Sequence, residues 1–119
     1  MDEYGILLYG FGPAEAETVR LKLEEVLSGT LLAMSASGSE TRKVSDILDE
    51  PSDFFSAGDV RVLMFLGFGD GEIRKALSAF PKDMKRPIFC TLTENNENWT
   101  FSHLLEHLAE EHRQARGGR

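Results

Sequence analysis

The chain has 119 residues, 41% of them hydrophobic, enough for one domain to bury a core without cross-links. Lysines and arginines number 13 against 20 acids, a net charge of −7, and the repulsion of phosphate that follows argues against nucleic acid and anionic membranes as partners. The longest apolar run, residues 62–66, falls far short of the roughly 20 residues that cross a bilayer, so no membrane partner is expected.

In chain order, Ile6-Leu7-Leu8-Tyr9 is a continuous apolar run ending at Gly10, which predicts a first strand, β1, buried on both faces. Gly12 and Pro13 suit the cap and first position of a helix, α1, whose apolar face recurs at Val19, Leu23, Val26 and Leu27 before Gly29. Residues 30–35 read as β2 and the Ser/Gly-rich residues 35–39 as a loop; a short helical pattern near 41–49 then carries Val44, Ile47 and Leu48, and Pro51 ends it. Beyond that pattern, α2, lies a turn-rich connection at 53–59, whose Phe54 and Phe55 are expected to fold back onto the core. Residues 60–65, the most apolar run, predict a central β3. Ile73, Ala76, Leu77 and Phe80 form one helical stripe, α3, stopped by Pro81, and residues 87–93 read as β4. A final helix, α4, buries Phe101, Leu104, Leu105 and Leu108, with Arg113 and Arg116 complementing its dipole. One domain over 1–116 is expected, with a frayed tail at 117–119.

Alternating strands and helices predict an α/β fold, a small mostly parallel four-stranded sheet of order 2-1-3-4 with helices on both faces, flavodoxin-like or receiver-like. The competing arrangement is an antiparallel α+β sheet. There is also a weak internal repeat: Leu8-Tyr9-Gly10-Phe11-Gly12 ends β1 and Phe65-Leu66-Gly67-Phe68-Gly69 ends β3, each before a helix. In a parallel sheet these two turns lie side by side at the carboxyl edge, where open α/β folds bind ligands.

From Gly67-Phe68 onward the residues are familiar, with Thr93-x-x-Asn96-x-x-Trp99-Thr100 leading into a helix that carries Leu104, Leu108, Glu111 and His112. This pattern resembles a family of small prokaryotic proteins known as domain of unknown function 3783. The likeness extends upstream to Leu8-Tyr9-Gly10-Phe11 and to residues 44–48. The resemblance implies a cytoplasmic α/β domain with no assigned activity. Two features depart from it: Cys90, and the pair His103 and His107, stand where small or polar residues are expected. The lone cysteine forms no internal disulfide, and Met1-Asp2-Glu3-Tyr4-Gly5 has neither the basic nor the apolar region of a signal peptide, so a cytoplasmic location is expected from the residues as well.

His103-Leu104-Leu105-Glu106-His107 matches the His-x-x-Glu-His pattern of zinc peptidases, but on a helical wheel these polar groups fall away from the buried stripe, so no metal is expected. The glycine turns offer helix N-termini to a phosphate, yet Glu15 and Glu17 open α1, and Asp70 and Glu72 open α3, so their own carboxylates fill those sites. The turns also lack the third glycine of a dinucleotide loop and the Gly-Lys-Ser/Thr of a P-loop, and the acidic pair of a phosphoreceiver is missing after β1. No cofactor is expected. Cys90 reads as a small buried hydrophobe inside β4, and Lys82, Lys85 and Arg86 as complements to the carboxyl end of α3.

What remains is an edge of aromatic residues. Phe68 and Trp99 suit hydrophobic staples, Phe68 with Ile73 and Trp99 with Leu104 behind a Thr100 cap. Together with Phe11 and Asn96 they also suit a recognition patch. The expectation is a non-enzymatic interaction or regulatory module that holds a protein segment or small ligand around Phe11, Phe68, Asn96 and Trp99, the rival being an enzyme or nucleotide-binding protein at the same edge.

Overall fold

Continuous apolar runs form the two middle strands, β1 (Asp2–Tyr9) and β3 (Val62–Leu66), because both faces of each are covered. The edge strands are β2 (Gly29–Ser35) and β4 (Ile88–Thr91), giving the order β2-β1-β3-β4. The computed structural model describes residues 2–117; positions 118 and 119 of the expected tail lie outside the described residues.

One face of the sheet packs Ile6, Leu8, Leu63 and Phe65 against α1 (Pro13–Glu24) and α3 (Asp70–Ala79). The other packs Leu7, Met34, Val62 and Met64 against α2 (Val44–Asp49) and α4 (Phe101–Gly117). The same device starts α1 and α3: a glycine in extended conformation whose amide donates to the carboxylate three residues on, Gly12 to Glu15 and Gly69 to Glu72, each at 3.0 Å. Thr100 caps α4, its Oγ1 accepting the His103 amide at 3.2 Å.

The sheet is mixed, which corrects the mostly parallel expectation. β1 pairs parallel with β2, and β3 parallel with β4, but β1 and β3 run antiparallel, Tyr9 opposite Val62 and Gly5 opposite Leu66. The reason lies in the connection over residues 36–61. Its start is tied to β1 by the Ala36 amide on the Leu8 carbonyl at 2.9 Å, and its return by the Gly58 amide on the Gly10 carbonyl at 3.1 Å. Both ends therefore stay at the carboxyl end of β1. The helix between them has 6 residues, about 9 Å of rise, too short to carry the chain back along a strand. β3 consequently enters at the end where β1 leaves. A flavodoxin-like or receiver-like sheet needs these central strands parallel.

Smaller differences follow from the same geometry. β3 begins at Val62 instead of residue 60, since Val60 sits on the turn and is 53% exposed. Phe55 packs on the first core cluster as expected, whereas Phe54 stands 60% exposed.

Candidate functional site

The antiparallel central pair separates the two Gly-Phe-Gly turns. Gly10 follows the end of β1 beside the start of β3, and Gly67 follows the end of β3 beside the start of β1, so Phe11 and Phe68 occupy opposite ends of the sheet. The convergence of Phe11, Phe68, Asn96 and Trp99 at one edge, which rested on a parallel pair, does not occur.

Each of the four has packing of its own. Phe11 is fully buried, with the Phe80 ring 6.5 Å away and the Arg61 guanidinium 4.9 Å from its centroid. The Arg61 side chain is only 9% exposed and pairs with Glu15 at 2.6 Å. The Gly12 amide, then Arg61, holds the Glu15 carboxyl below its ordinary pKa. Phe68 is half-buried between Phe65 at 4.8 Å and Tyr4 at 5.1 Å, and packs on the same core cluster as Ile73.

Asn96 is buried and its side-chain amide is hydrogen-bonded through both its oxygen and its nitrogen. Oδ1 accepts the Thr93 amide at 2.9 Å, Nδ2 donates to the Thr91 carbonyl at 3.0 Å, and its own N–H reaches Thr93 Oγ1 at 3.0 Å. Along β4 the Ile88 and Leu92 amides point to β3, so by alternation the Thr91 carbonyl faces the open edge, and Asn96 covers it. Asn96→Ala leaves the Thr93 amide and Thr91 carbonyl without this partner and should cost about 1–3 kcal/mol in urea unfolding.

Trp99 is half-buried on the second core cluster with Leu104, and its ring meets His103 at 4.6 Å and His107 at 4.9 Å. Both histidines are exposed as expected; His107 lies 3.2 Å from Glu111. No group of three or more metal-ligating side chains occurs among the described residues. Burial, then the charge of Glu111, pushes the half-buried Cys90 thiol up to about 12. Arg86 does complement α3, donating to the Leu77 carbonyl at 3.3 Å, while Lys85 Nζ donates to the Asp59 carbonyl at 2.6 Å.

A different concavity lies where the parallel strands β1 and β2 end. It is a cleft of about 480 Å³ bordered by Tyr9, Gly10, Ser37, Gly38 and Glu40 on one side and by Phe54 and residues 56–60 on the other. The Tyr9 hydroxyl donates to Glu40 Oε2 at 2.7 Å. That bond, together with the Glu40 and Gly38 backbone amides, keeps the Glu40 carboxyl below its ordinary pKa. Burial first, and Glu40 second, pushes the Tyr9 phenol up to about 12. The wall is pinned by Ser35 Oγ donating to the Phe54 carbonyl and by the Phe54 amide on Ser52 Oγ at 2.9 Å. Sequence reading passed over Tyr9, Ser37 and Glu40 as site residues and placed Phe54 in the core instead. The available signal was the run of small residues at 35–39, which lets the chain turn at the end of a strand and leaves space above it.

Residues 61–114 match the family model of DUF3783, a domain of unknown function. No curated protein and no solved structure matches the chain. The DUF3783 segment spans β3, α3, β4 and most of α4, including the Thr93-x-x-Asn96-x-x-Trp99 turn. The cleft and the upstream stretches at 8–11 and 44–48 lie outside the DUF3783 match. No helix among the described residues is long and apolar enough to cross a membrane.

Proposed function

We propose that the chain is a non-enzymatic binding module that takes a small organic cation in the cleft at the carboxyl ends of β1 and β2. The observation that carries this reading is the cleft's chemistry. The acids Glu40 and Asp59 and the aromatic Phe54 are among its lining residues, and none of those residues is a lysine or arginine. An amine or guanidinium gains a carboxylate partner there and an aromatic face. The location supports the same reading, because ligands of open α/β sheets sit outside the carboxyl ends of parallel strands.

An enzymatic reading finds less support. The Cys90 thiol, the candidate nucleophile, is pushed up to about 12 and stays protonated at neutral pH, and the Tyr9 phenol, the candidate acid, is pushed up to about 12 as well, far from the operating pH that efficient proton transfer needs. A phosphate or nucleotide on the helix N-termini would have to displace Glu15 and Glu72 from the caps they form. A lone free thiol suits a reducing compartment such as the cytoplasm.

Thermal-shift measurements with arginine and putrescine on one arm, glutamate and citrate on the other, test the reading. A cation at about 100 times its dissociation constant should stabilise the wild type by roughly 2.7 kcal/mol. Glu40→Gln, which keeps an acceptor for Tyr9 but removes the charge, should lose most of that shift. Since Glu40 ionises below its ordinary value of 4.5, binding should persist to mildly acidic pH and fail only beneath that value. Stabilisation by the anions, or an undiminished shift in Glu40→Gln, sinks the proposal.

A further inference from the structure

The internal repeat has a counterpart in three dimensions. An offset of 57 carries Gly10 onto Gly67, Gly12 onto Gly69 and Glu15 onto Glu72. The matched glycines share their backbone, φ 86 and 77 at Gly10 and Gly67, and the matched caps share their 3.0 Å carboxylate bond. The order β1-α1-β2-α2 then recurs as β3-α3-β4-α4, with α1 and α3 on one face of the sheet and α2 and α4 on the other.

Several contacts between the halves obey the same offset. The β1–β3 ladder centres on Leu7 opposite Met64, which are themselves equivalent positions. The Lys43–Thr100 bridge also joins equivalent residues, and it is reciprocal: the Val44 amide donates to the Trp99 carbonyl at 2.9 Å and the Phe101 amide to the Arg42 carbonyl at 2.8 Å. Each turn phenylalanine is covered by the other half, Phe11 by Arg61 and Phe68 by Tyr4, and Arg61 and Tyr4 are again 57 apart. Reciprocal pairing of equivalent residues is the signature of a two-fold, isologous interface.

We propose that the chain is a fused pseudo-dimer of two β-α-β-α units, and that the surface on which they meet is a self-pairing surface that accepts the matching half of a second copy of this chain. The DUF3783 match falls on one of these units, residues 61–114, and the other is its diverged partner. The loop of residues 50–61 connects them along the chain, and what each half offers the other is the backbone edge of its first strand together with the cover of one turn phenylalanine. Exchange between two chains therefore rebuilds every contact seen within one.

The test nicks the folded protein. A site-specific protease sequence inserted between the exposed residues Ser56 and Ala57 is cut after folding, and light and isotopically heavy nicked samples are mixed and followed by native mass spectrometry. The proposal expects the two fragments to stay together as one particle and, on incubation, about half of the particles to become heavy–light pairs, since the two halves re-pair without regard to origin. Fragments that separate on cleavage overturn it, as do fragments that stay together and never exchange. Uncut heavy and light chains, refolded together at high concentration, provide the second measurement: a dimer holding one of each supports the exchange, and monomer alone at every concentration counts against it.

Discussion

Gly10→Ala should destabilise the domain by about 3–5 kcal/mol, enough to leave much of it unfolded at ordinary temperature. Gly10 has φ +86, which costs an alanine about 1–2 kcal/mol on backbone grounds. The larger cost is steric. A Cβ there would stand 2.1 Å from the Val60 carbonyl oxygen and 3.1 Å from the Arg61 Cα, backbone atoms that cannot rotate away. Moving them breaks the Gly58–Gly10 bond that returns the connection to β3, and displaces Arg61 from Phe11. The equivalent Gly67 provides the control. Its φ of +77 imposes a similar backbone cost, but its Cβ would meet only the Glu3 carbonyl at 3.4 Å, an ordinary contact. Gly67→Ala should therefore cost about 1–2 kcal/mol. Equal urea midpoints for the two variants would refute the steric account.

Phe11→Ala and Phe68→Ala should separate just as widely, although the two residues occupy equivalent places in the repeat. Phe11 is fully buried against Phe80, and its loss removes the ring, leaves a cavity and uncovers an arginine whose side chain is 9% exposed, at about 3–5 kcal/mol. Phe68 is half-buried, and its neighbours Tyr4 and Phe65 can close over the gap, so about 1–2 kcal/mol is expected. Both are measured by chemical unfolding followed by circular dichroism. A Phe11→Ala protein as stable as the wild type would return that residue to the surface.

Much of the fold is legible in the sequence because it depends on neighbours along the chain. Apolar runs at Leu7 and Met64 predict strands covered on both faces, and their apolarity puts them in the middle of the order 2-1-3-4. Gly12-Pro13, Gly69 and Thr100 mark helix starts through bonds spanning three residues, and the wheel of α4 places His103 and His107 outside. The repeated Gly-Phe-Gly turn is equally local, and its two copies share a backbone conformation.

The direction of β3 was decided by tertiary structure alone. A connection spanning residues 36–61 is long enough to cross the sheet or to stay at one end, and bonds such as those from Ala36 to Leu8 and from Gly58 to Gly10 hold it at the carboxyl end of β1. That single choice sends Phe11 and Phe68 to opposite ends, buries Arg61 over Phe11, and opens the cleft beside Glu40. Periodicity and capping report which face a residue turns and where a helix begins. They carry no term for which end of the sheet a chain re-enters, because that is set by contacts between residues far apart in sequence, whose free energy exists only once the strands have paired.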